Sequence, residues 1–115
     1  MPIKMLIPHN FLRVVRKRTQ LTQIDIASIL RLPDIANVSR WEQGLKRPGV
    51  EVLLAYHLLF NVPIEALFER QKHELRQILI PRVHDRIAHL KTLGNDPKVT
   101  SRMAFLASVS DRLTA

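Results

Sequence analysis

The 115-residue sequence contains no cysteine, which excludes disulfides, thiolate metal sites and cysteine nucleophiles and points to a reducing compartment. Glycine is scarce, at 3 residues, and proline stands at 7, so collagen-like and low-complexity chains are excluded. No apolar run approaches the ~18 residues that a membrane span needs. The opening MPIKMLIPHN lacks a continuous apolar stretch ending in small residues, so no secretory signal is expected and a cytoplasmic location is. No stretch alternates apolar and polar residues between turn signals, so no sheet is expected. Glycine-rich phosphate loops, nucleophile motifs and usefully paired carboxylates are also missing, and the chain does not read as an enzyme.

What is present in excess is positive charge. Eighteen Lys and Arg stand against ten Asp and Glu, for a net charge of +8 and a pI near 10.9. A polyanion is the partner class that this balance suggests. Split after Phe68, each part carries nine basic and five acidic residues, so charge does not say which part meets the partner.

The apolar pattern is helical throughout. A helix capped by Asn10 and running to about Arg18 would turn Leu12 and Val15 inward. Thr22 offers an N-cap hydroxyl for a second helix from Gln23 to about Leu30. Pro33 and Asp34 suit the first turn of a third, over roughly 34–43, ended by Gly44. A fourth starts at Val50 and ends near Asn61, and a fifth follows Pro63. Beyond Glu69, one striped segment with Leu75, Ile78 and Leu79 runs to Pro81, and another carries Val83, Ile87 and Leu90. Gly94 to Pro97 read as a loop, and a last helix from Thr100 to about Leu113 carries Met103, Leu106 and Val109. The expected fold class is all-α.

On a wheel of about 100° per residue, the third helix puts Ile35, Val38, Trp41 and Leu45 on one side. Ala36, Arg40 and Gln43 lie opposite, with Asn37 beside them. Such a face suits the major groove, where Arg takes guanine O6 and N7, Asn takes adenine N6 and N7, and a methyl meets thymine. His84 and His89, five apart, point about 140° from each other on a helix, so no metal site is expected.

Residues 22–48, TQIDIASILRLPDIANVSRWEQGLKRP, resemble the helix-turn-helix of the phage repressor and Cro family, also called XRE-type. Thr22, Gln23 and Ala27 match its Thr-Gln-x-x-x-Ala opening. Val38, Ser39, Arg40, Trp41, Glu42 and Gly44 match its Ile/Val-Ser-Arg-Trp/Tyr-Glu-x-Gly run, and Arg47-Pro48 match the basic residue and proline that follow. Leu53-Leu54 and residues 61–68 resemble the fourth and fifth helices. The resemblance covers about residues 10–68 and implies a five-helix repressor-like domain over 1–68, with a helical extension over 69–115.

The resemblance implies a transcriptional regulator that binds double-stranded DNA sequence-specifically, without cofactor. Gln23, Ala36, Asn37, Ser39, Arg40 and Gln43 are its expected DNA-binding residues, Gln23 meeting the backbone. Lys46 and Arg47 lie in the loop that would meet phosphates or the minor groove. Arg16 and Glu42 are expected as a structural ion pair, because a carboxylate on the inner side of the third helix needs a cation. Two positions depart from the family, Gln20 and Arg31 standing where glycine is usual, and the segment from Leu30 to Val38 is one residue longer than its commonest spacing. The extension is expected to form a homodimer. The alternative is an antitoxin or control protein whose extension binds a partner protein, with DNA binding serving its own promoter.

Overall fold

The computed structural model describes residues 10–115. Residues 1–9, placed above in the first domain and read as lacking a signal, lie outside the described residues. Among the described residues there is no strand. Seven helices follow in order: α1 (Leu12–Arg18), α2 (Gln23–Ile29), α3 (Ala36–Gln43), α4 (Val50–Phe60), α5 (Ile64–Leu67), α6 (Glu69–Lys91) and α7 (Pro97–Thr114). The chain divides into two compact units, one up to Lys72 and one from His73 to Ala115, so the division falls inside α6.

In the first unit short polar side chains meet the opening amides of α1, α2 and α3, whereas α4 follows Gly49 and α5 follows Pro63 without a side-chain cap. Phe11, and not Asn10 as expected, occupies the N-cap of α1; Asn10 stands one residue earlier, where its Oδ1 accepts from the Leu12 amide at 3.0 Å. Thr22 and Asp25 form a reciprocal capping box at the start of α2: the Asp25 amide donates to Thr22 Oγ1 at 3.1 Å, and the Thr22 amide donates to Asp25 Oδ2 at 2.8 Å. These bonds occupy amides that the first turn leaves without helical partners. α3 starts at Ala36 instead of 34, because the Asp34 carboxylate accepts from the Ala36 amide at 2.9 Å and so stands outside the helix. Gly44 ends it at φ 75°, a conformation in which a Cβ would crowd the carbonyl. Asn61 ends α4 at φ 52°, and α5 is a single short turn after Pro63.

The core of this unit is built from Leu12 and Val15 of α1, Ile26 and Ala27 of α2, Val38 and Trp41 of α3, Tyr56 of α4 and Leu67 of α5. Burying each large aliphatic contributes about 1.5–3 kcal/mol. Ala27 is buried in this core, and its carbonyl accepts from the Leu32 amide at 2.8 Å. Ile35 and Leu45, expected on the buried side of α3, are instead 41% and 72% exposed. Ile35 is the residue before the helix and Leu45 follows the left-handed Gly44, so the helical wheel does not extend to either.

Two further expectations are corrected in the second unit. The segments on either side of Pro81 form one helix, α6: proline removes one hydrogen bond to the fourth residue before it, and the bonds of neighbouring turns carry the helix through. α7 begins at Pro97 and not at Thr100, with Asp96 Oδ1 accepting from the Lys98 amide at 2.7 Å. Proline at the first helical position loses no bond, because that amide has no helical partner. Of this unit's residues only Leu90 and Val99 are buried hydrophobics. Leu75, Ile78, Val83, Ile87, Met103, Leu106 and Val109 are half-buried, and Leu79 and Phe105 are exposed. His84 Nε2 meets Ser110 Oγ at 2.6 Å, tying α6 to α7.

Candidate nucleic-acid interface

α3 is fixed from its inner side. Val38 and Trp41 enter the core, and the Trp41 carbonyl accepts from Asn10 Nδ2 at 2.9 Å. Glu42 accepts two bonds from Arg16, Nε to Oε2 at 2.6 Å and Nη2 to Oε1 at 2.9 Å. The third guanidinium contact runs from Nη1 to the Leu21 carbonyl at 2.8 Å. One side chain of α1 thus ties α3 and the approach to α2 together. The hydrogen bond to Glu42 is the main cause that raises the Arg16 pKa, working against desolvation.

The outer side of α3 carries the residues singled out above. Ala36, Asn37 and Ser39 are partly exposed, and Arg40, Gln43, Lys46 and Arg47 are exposed. Two internal contacts order this surface. Gln43 Nε2 donates to Ser39 Oγ at 3.0 Å, one helical turn apart. Lys46 Nζ donates to Asn37 Oδ1 at 3.2 Å. Arg40 and Arg47 have no side-chain partner among the described residues, and each projects a permanent cation.

Gln23 is placed differently from a bare helix-terminal group. Its Nε2 donates to Glu42 Oε1 at 3.2 Å, so the amide is turned onto the ion pair. Gln23, Arg13, Arg16, Glu42 and Gln43 line a notch of about 410 Å³ between α1, α2 and α3. Arg13 was not among the expected site residues. Its position three before Arg16 on one helix face was the available signal that it stands beside the ion pair. The Thr19 hydroxyl donates to the Arg16 carbonyl at 2.8 Å.

Gln20 and Arg31, singled out above, lie in the turns before and after α2. Gln20 has φ 67° and Arg31 φ 59°, so each non-glycine residue holds the left-handed conformation, at a cost of about 1–2 kcal/mol. Asp34 and Ile35 lie before α3, which starts at Ala36.

Among the described residues, no group of three or more His, Asp or Glu is placed to hold a metal ion, and no helix is long and apolar enough to cross a membrane. Comparison with family models, with curated proteins and with solved structures finds no match.

Proposed function

We propose that the chain is a sequence-specific double-stranded DNA-binding regulator of transcription in which α2 and α3 act as a repressor-like helix-turn-helix. In this reading α3 enters the major groove. The observation that carries it is the two-sidedness of α3: its inner side is locked by Val38, Trp41 and the Glu42 ion pair, and its outer side offers a methyl, amides, a hydroxyl and a free guanidinium. These are the groups that match base edges. A reading helix must hold its side chains in register with the bases, and anchoring on three neighbouring segments supplies the rigidity.

Arg40 reads a base, and Lys46 and Arg47 lie at the edge of the same surface, where a duplex brings its phosphates. Arg13 joins Gln23 at the notch as a further backbone contact. No aromatic side chain lies on the outer side of α3, which favours a duplex over a stacked single strand. Selection of bound sites from randomised duplex DNA, followed by footprinting of the enriched sequence, tests the reading.

The second unit supplies the pairing. Two helices with only Leu90 and Val99 buried between them lack the enclosed core that a segment of this size needs. A second copy covers the half-buried stripes, and pairing places two reading helices on a two-fold site. The same incomplete core supports a second reading, in which a partner protein covers the stripes and the chain is an antitoxin or control protein. Molecular mass of the purified chain separates the two.

A further inference from the structure

One contact on the outer side of α3 changes what that surface offers to a base. Lys46 Nζ donates to Asn37 Oδ1 at 3.2 Å, reaching from beyond Gly44 back to the first turn of α3. The base of the lysine is itself held. The Leu45 and Lys46 amides both donate to the Arg40 carbonyl, at 2.9 and 3.3 Å, folding this segment onto the end of the helix. An ammonium has donors only, so the amide atom facing it is the oxygen. The exposed end of the Asn37 amide is consequently Nδ2, with its two N–H groups.

A free asparagine presents an acceptor beside a donor and complements adenine, whose N6 donates and whose N7 accepts. With Oδ1 held on an ammonium, the pair presents donors alone: the Asn37 Nδ2 hydrogens and the remaining Lys46 Nζ hydrogens. Guanine has the complementary edge, since N7 and O6 both accept. Adenine and cytosine would each set an amino group against a donor.

We propose that Lys46 and Asn37 form one reading unit that selects guanine. Lys46 is then a specificity-determining residue and not solely a phosphate contact. The proposal rests on the reading of α3 as a major-groove helix and deepens it by naming the base that this position takes.

The test is site selection from randomised duplexes with the full chain and with Lys46→Ala, Lys46→Arg and Asn37→Ala. The natural chain should enrich guanine at the position that Asn37 protects. Lys46→Ala frees Oδ1 and should move that position from guanine towards adenine, changing the ratio of the two by roughly 5- to 100-fold and leaving the other positions as they were. Lys46→Arg keeps a donor on Oδ1 and should keep guanine. Asn37→Ala should remove the preference there, and adding Lys46→Ala should change it no further.

A Lys46→Ala chain that binds every duplex proportionally more weakly, with an unchanged profile, overturns the proposal and makes the lysine a phosphate contact. So does a natural chain that selects adenine at this position. In both of those outcomes a sequence is still selected and the major-groove reading survives. A natural chain that enriches no sequence overturns that reading, and this proposal with it.

Discussion

Arg16 and Glu42 close a two-bond ion pair between α1 and α3, at 2.6 and 2.9 Å, with side chains only 8% and 2% exposed. Withdrawn from water, each charge depends on the other. Removing one partner should cost about 3–5 kcal/mol, most of it the penalty of stranding the remaining charge. Urea unfolding of Arg16→Met, Glu42→Gln and the double variant checks this, and the double variant should lose less than the sum of the singles. Additive losses below 1 kcal/mol would show that the two side chains do not act as a pair.

Gln20 and Arg31 hold left-handed conformations without glycine's freedom. Gln20→Gly and Arg31→Gly should each raise stability by about 0.5–1 kcal/mol, the relief of the strain less the greater entropy that glycine gives the unfolded chain. The turns are on opposite sides of α2, so the gains should add. Denaturation midpoints of the two variants and their combination measure it, and destabilisation by either would mean that the side chain supports its turn.

Asp25 gives α2 a pH dependence of definite sign. The bond from the Thr22 amide, and after it the Thr22 hydroxyl, hold the Asp25 carboxyl below its ordinary pKa. A depressed native pKa contributes stability that is complete above the unfolded value, near ~3.9, and is lost as pH falls through the native value. Melting temperatures between about pH 6 and 2.5 should therefore fall less steeply for Asp25→Asn than for the natural chain. Parallel curves would remove Asp25 from the acid response.

The α6–α7 unit should make the protein a dimer. Light scattering on the full chain should return twice the chain mass, and a chain ending at Lys72 should remain helical as a monomer. On a two-fold site the shortened chain should bind steeply more weakly, because its half-sites are no longer held together. A monomeric full chain would exclude pairing through these helices and favour a partner protein on the stripes.

Much of the first unit could be read from local chemistry. Thr22, Asp34 and Gly44 act within a few residues of where they stand, so α2 and α3 were legible to within two residues at their ends. The inward turn of Leu12, Val15, Val38 and Trp41 followed from helical spacing alone. What escaped depended on geometry beyond a regular helix. Ile35 and Leu45 fall outside the wheel that predicted their burial, and Pro81 reads as a break although the turns around it stay bonded. Asp96 and Pro97 form a capping pair that a loop-rich stretch concealed. At the site, the outer face of α3 was legible from spacing, and the Arg16–Glu42 pairing from the resemblance. The contacts of Lys46 with Asn37 and of Gln23 with Glu42 join residues 9 and 19 positions apart and depend on how the segments fold back.

Base reading by the outer side of α3 turns on Arg40, whose guanidinium has no partner within the described protein. The measurement is the affinity of the natural chain and of Arg40→Ala for a selected duplex and for a scrambled duplex of equal length, at one salt concentration. The natural chain should prefer the selected duplex. Arg40→Ala should lose about 1–3 kcal/mol on that duplex and much less on the scrambled one, with the altered preference concentrated at one base pair per half-site. Equal losses on both duplexes would reduce Arg40 to a phosphate contact, and equal affinity of the natural chain for both would contradict sequence reading by α3 altogether.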